Sequence, residues 1–127
     1  ITLYRKAVTM EPRAIEPLLG LSLPLMSAGR WAEATQALES AQALAPGDST
    51  VLGRLAYVTL KAGRYRDCER WYTRGLELAP GDADLRDGLG WCLLLQNRFQ
   101  EAAVQFESVL AVAPDHLTAK QGLNKIP

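Results

Sequence analysis

Proline stands at residues 12, 46, 80 and 114, a spacing of 34 residues, and that period constrains the chain to an array of like units. In this register three full units run over 15–48, 49–82 and 83–116, and many further columns align. Leu21, Leu55 and Leu89 share a column, as do Leu18 and Leu52. Ser22, Ala56 and Gly90 form a small-residue column, and Ala34, Cys68 and Ala102 form another. Leu38, Tyr72 and Phe106 make a large apolar column ahead of each proline. Gly29, Gly63 and Asn97 align too, each followed by Arg and then an aromatic, Trp31, Tyr65 or Phe99. Tyr4 and Ala7 fall in the columns of Leu38 and Ala41, so residues 1–12 read as the second helix of a truncated unit. Leu123 falls under Leu89, so 117–127 reads as the start of a further unit or a capping helix, and the whole as a piece of a longer array.

Apolar residues recur at three- and four-residue steps on both sides of each Gly-Arg-aromatic turn, which predicts two antiparallel helices per unit. Ala, Leu, Glu and Arg dominate while β-branched residues are scarce, a bias toward helix. Gly29, Gly63 and Asn97 can take the left-handed conformation that closes a helix. Pro46 and Pro80 end the second helices, because proline disfavours helical geometry in the residue before it. Asp48 and Asp82 then cap the next helix, and His116 starts a helix in the same column. Glu33, Asp67 and Glu101 meet the positive end of a helix dipole. Pro17 suits a helix start, whereas Pro24 removes a hydrogen bond to Gly20 and predicts a kink. A lone helix pair cannot bury its apolar face, so stability must come from stacking. The small columns let paired helices approach and the large column fills the space between neighbours.

These columns resemble the tetratricopeptide repeat, whose pattern of Leu-Gly, then Ala, then Phe, then Pro they follow over nearly the whole chain. Gly75, in the column of Ala41, and Arg86, in that of Leu18 and Leu52, depart from it. The resemblance implies an all-α fold, a right-handed α-solenoid of antiparallel helix pairs forming one array over 1–127. It also implies a protein–protein interaction scaffold whose first helices line a concave groove. Helix geometry then selects the stripes that face it: Glu16, Leu19, Leu23 and Met26; Thr50, Gly53, Tyr57 and Leu60; Asp84, Asp87, Trp91 and Leu94. Tyr57 and Trp91 are the expected anchors, since large rings dominate binding energy when desolvated, and Gly53 leaves a notch beside Tyr57. Glu16, Asp84 and Asp87 flank the stripe, which suits a peptide or partner helix with apolar anchors and basic flanks.

In this family a clamp for chaperone C-terminal carboxylates uses lysine, asparagine and arginine. Its equivalent positions here hold Leu19, Leu23, Arg54, Asp84 and Gly88, so only Arg54 could contribute and two neighbouring carboxylates would repel such a tail. The asparagine ladder of nucleotide-sugar glycosyltransferase solenoids is absent as well, with Gly20, Arg54, Gly88 and Gly122 in its places.

Fourteen basic and fourteen acidic side chains cancel, so no global field recruits nucleic acid or an anionic membrane. No apolar run approaches the roughly 18 residues that cross a bilayer, so no membrane insertion is expected. Cys68 and Cys92 occupy small, buried positions and are expected to stay unpaired in a reducing compartment, the cytoplasm being favoured over the periplasm. Arg66, Arg70 and Arg74 form a basic row on a second helix, but Asp67, Glu69 and Glu77 interleave with it, as on a solvated face. A single histidine, two cysteines 24 residues apart and no phosphate-binding loop point away from an enzyme, a metal site or a cofactor. The function expected is therefore a scaffold or adaptor for a protein or peptide partner. The alternatives are a self-association module forming a homo-oligomer, or the substrate-recruiting arm of a larger enzyme.

Overall fold

The structure, a computed structural model, describes residues 15–127, and the reading of residues 1–12 as a truncated helix lies outside the described residues. Seven helices follow in order among the described residues: α1 (Ile15–Ser27), α2 (Trp31–Leu44), α3 (Ser49–Lys61), α4 (Tyr65–Leu78), α5 (Ala83–Leu95), α6 (Phe99–Val112) and α7 (Leu117–Asn124). They pack in consecutive antiparallel pairs, α1 with α2, α3 with α4 and α5 with α6, and each pair rests on the next. The expected all-α fold is thus what forms, and α7 packs against α5 and α6.

Local chemistry sets the boundaries. Gly29, Gly63 and Asn97 take positive φ of 72°, 79° and 61°, and the amides of Arg30, Arg64 and Arg98 then donate back to the carbonyls of Leu25, Thr59 and Leu93. At the start of α3 and α5, the Oδ1 atoms of Asp48 and Asp82 accept the amides of Val51 and Leu85, each at 3.0 Å. His116 does the same for α7, its Nδ1 accepting from Ala119 N at 3.3 Å. The second helices lack such side-chain caps, and Arg30, Arg64 and Arg98 instead pair three residues on with Glu33, Asp67 and Glu101. Arg64 and Arg98 also reach back to Glu39 and Glu69 of the preceding helix pair. These exposed pairs decorate the seams and contribute little each. Pro24 sits inside α1, which continues to Ser27.

The core follows the aligned columns. Ser22, Ala34, Ala56, Cys68 and Ala102 are fully buried, as are Leu38 and Phe106, with Tyr72 nearly so. The large column needs space opposite it, and glycine provides that space. A Cβ on Gly88 would lie 2.3 Å from Tyr72 Cζ, and one on Gly122 the same distance from Phe106 Cζ. In the same register the smaller Leu38 is followed by Arg54, whose Nη1 donates to Leu19 O at 3.1 Å and ties α3 to α1. Arg86, standing where a leucine aligns, is a polar strut that donates to Gln105 Oε1 and to the Pro80 carbonyl.

The cysteines depart from expectation. Cys68 of α4 and Cys92 of α5 are fully buried and joined as a disulfide, with Cα atoms 6.4 Å apart. Small, buried positions were expected to keep them as isolated apolar fillers. Those two positions face each other across the seam where α4 packs on α5, so the side chains meet within bonding range.

Candidate functional site

Three first helices and one second helix converge on a cleft of about 350 Å³. Gly53, Tyr57 and Leu60 come from α3, Asp84, Leu85, Asp87, Gly88 and Trp91 from α5, Thr118 from α7, and Tyr72 rises from α4. Six of the expected groove residues meet here: Gly53, Tyr57, Leu60, Asp84, Asp87 and Trp91. Leu19, Leu23, Met26, Leu94 and Arg54, the last a groove position by its column, lie elsewhere. Leu19 and Met26 are partly buried against the core of α1 to α3, and Leu23 is half-exposed. Arg54 is engaged with the Leu19 carbonyl. Leu94 is only 6% exposed and packs with Phe106 and Ala119, because it falls on the edge of the α5 stripe that α6 and α7 cover.

The rings are braced from behind. Tyr57, 41% exposed, stands edge-on to Trp31 at 6.2 Å between centroids, and Lys61 Nζ lies 5.8 Å from its centroid. Trp91 stands edge-on to Phe106 at 5.8 Å. Nothing lies within 4 Å of where a Cβ on Gly53 would sit, so the cleft wall is open beside Tyr57. Tyr72 forms the floor, passing under α5 where Gly88 lacks a side chain. Burial first, then the charge of Asp87 and the neighbouring Tyr57, pushes its hydroxyl far up, which keeps it neutral.

Two carboxylates mark one end of the cleft. Asp84 is exposed and its Oδ1 lies 3.0 Å from His116 Nε2. Because His116 Nδ1 accepts the Ala119 amide, the ring proton belongs on Nε2 and donates to Asp84. Asp87 is 9% exposed; its Oδ2 accepts from Thr118 Oγ1 at 2.7 Å, while its Oδ1 is buried without a hydrogen-bond partner. Burial raises the Asp87 carboxyl above the usual range, with Asp84 adding to the rise. Thr118, His116 and the Trp91 indole oppose it, although no bond of ordinary geometry reaches Oδ1.

Sequence reasoning missed Tyr72, Leu85, Gly88 and Thr118. Tyr72 and Gly88 were each visible in their columns, but the contact joins different units and no single column reveals it. Among the described residues no group of three or more His, Cys, Asp or Glu side chains is placed to hold a metal ion. No described helix is long and apolar enough to cross a membrane.

No curated protein sequence matches this chain. Solved structures match in fold. A MamA fragment from Desulfovibrio magneticus RS-1 superposes with a TM-score of 0.88 at 19% identity, over 94% of this chain and 68% of that one. The second TPR domain of human RPAP3, in complex with the HSP70 peptide SGPTIEEVD, gives 0.81 at 21% identity, over 91% and 96%. The Sgt2 TPR domain from Aspergillus fumigatus gives 0.79 at 15% identity, over 88% and 76%. At these identities the likeness shows the fold alone. The sequence itself matches the tetratricopeptide repeat profile over residues 25–92, more than half its length, and the chain belongs to the tetratricopeptide repeat family.

Proposed function

We propose that this chain is an interaction scaffold that holds an extended peptide or a partner's helix in the cleft between α3, α5 and α7. Tetratricopeptide repeats are protein-binding modules. The observation that carries the finer reading is the convergence of Tyr57, Tyr72 and Trp91 on one concave surface. Such rings supply large contact area at low entropic loss and act as anchors once water leaves. The cleft volume lies at the low end of the roughly 300–1,000 Å³ that small-ligand sites occupy, room for one or two side chains of a bound segment. The peptide bound to the RPAP3 domain carries two glutamates and a terminal aspartate. Asp84 and Asp87 would repel such a sequence, so the partner of this cleft differs in charge.

The test is capture from a library of short peptides by wild-type protein and by the Tyr57→Ala/Trp91→Ala double variant. Wild type should select a subset with about micromolar affinity, near 8 kcal/mol of binding. The variant should lose that selection with its helical circular dichroism intact, and unchanged selection would remove the cleft from consideration.

A second reading, self-association, draws support from Val112 and Leu117, which are 76% and 65% exposed where α6 turns into α7. Light scattering across a concentration series separates the two, since a tight dimer supports this reading and a monomer that binds peptide supports the first.

A further inference from the structure

We propose that Asp87 makes the inner end of this cleft a subsite for the ammonium group of a lysine carried by the bound peptide, an inference that rests on the peptide-binding reading above. The carboxylate faces a lined concave site, and one of its two oxygens is idle: Thr118 holds Oδ2, and Oδ1 has no donor. Buried polar groups are normally satisfied, and an unpartnered carboxylate oxygen in a cleft is a standing cost that a ligand cation would remove. The nearby cations do not supply it. His116 donates to Asp84, and Lys61 lies over the Tyr57 ring.

The geometry selects the cation. With Oδ2 already engaged, Asp87 offers a single free acceptor, which suits a compact ammonium better than a guanidinium, whose two-pronged pairing uses both oxygens. Tyr57, Tyr72 and Trp91 provide apolar and π surface for the aliphatic stem and for the charge that follows it. Asp84, almost fully exposed at the rim, adds a second negative charge on the approach. The Trp91 indole lies beside this carboxylate and Oδ1 is buried, so admitting the ammonium requires that ring to move aside.

A positional-scanning octapeptide library, acetylated and amidated to remove terminal charges, tests this. Pools with lysine fixed beside an aliphatic residue should be retained over matched pools with norleucine, its uncharged counterpart, and over pools with arginine. Asp87→Asn, which keeps an acceptor for Thr118, should reduce the lysine preference by about tenfold or more. If no pool binds wild type, the peptide-binding reading falls and this subsite with it. If pools bind but lysine gains nothing over norleucine, the subsite is overturned while the groove reading stands, and this comparison needs no variant. Lysine preference retained in Asp87→Asn but lost in Asp84→Asn would place the charge at the rim and also overturn it. Calcium or magnesium binding to wild type by calorimetry, lost in Asp87→Asn, would assign the carboxylate to a divalent ion instead.

Discussion

Replacing Gly88 with alanine tests the packing that builds the cleft floor. The new Cβ would lie 2.3 Å from Tyr72 Cζ, 2.4 Å from Cε1 and 2.7 Å from the hydroxyl oxygen. Carbon atoms in good contact sit about 3.5–4.0 Å apart, so the ring must move by roughly 1 Å or more. Tyr72 is 5% exposed and has little room to do so. Overpacking of this kind costs about 1–3 kcal/mol, set against the gain of about 1 kcal/mol that alanine brings to a helix interior. Gly53→Ala supplies the control. It lies inside α3, nothing is within 4 Å of its Cβ, and it should stabilise by about 1 kcal/mol. The two alanine variants should therefore differ by about 1–3 kcal/mol in urea unfolding followed by circular dichroism.

Adding Tyr72→Leu should relieve the clash, because the aligned Leu38 coexists with Arg54 in the preceding unit. A double-mutant cycle between Gly88→Ala and Tyr72→Leu should then show a coupling of about 1 kcal/mol or more. Gly88→Ala proving as stable as Gly53→Ala, or a cycle with no coupling, would refute the packing described here. Displacing the ring should also weaken peptide capture, since Tyr72 is the floor.

Asp48→Ala and Asp82→Ala should each destabilise by about 1 kcal/mol, because each removes the acceptor that caps a first helix. Urea midpoints check this. Burial raises the Asp87 carboxyl above its unfolded range, so its ionisation destabilises the fold at neutral pH, and that penalty fades as pH falls through the folded value. Among the groups facing it, Asp84 adds to the effect and His116 opposes it. Asp87→Asn should accordingly melt higher than wild type near neutrality and lose the advantage in acid, and the reverse order would count against it. The Cys68–Cys92 disulfide spans 24 residues, and closing such a loop is worth about 3–4 kcal/mol in the chain-entropy picture. Denatured, unreduced protein should take up no alkylating reagent by intact mass, and reduction should lower the urea midpoint.

The features that sequence carried well are those decided within a few residues. A left-handed residue at 29, 63 and 97, a capping side-chain acceptor at 48, 82 and 116, and a proline ahead of each pair act locally, so aligned columns reveal them. What escaped is decided between units. Cys68 and Cys92 meet only because α4 packs on α5, and Leu94 turns inward only because α6 and α7 cover that side of α5. Arg54 was assigned to the groove by its column, yet its guanidinium closes a seam with Leu19. The same distinction separates packing from binding. Where a column is buried in every unit, its size is set by its neighbour: Ala34, Cys68 and Ala102 stay small, and where Leu38 gives way to Tyr72 and Phe106, the facing Arg54 gives way to Gly88 and Gly122. The cleft columns change in both charge and size: Thr50, Asp84 and Thr118 in one, Gly53, Asp87 and Gln121 in another, Tyr57, Trp91 and Lys125 in a third. Packing imposes no common residue on those positions, and among the described residues only they bring an aromatic cluster beside a carboxylate with an idle oxygen. The repeat therefore builds the cleft, and the departures from the repeat give it its chemistry.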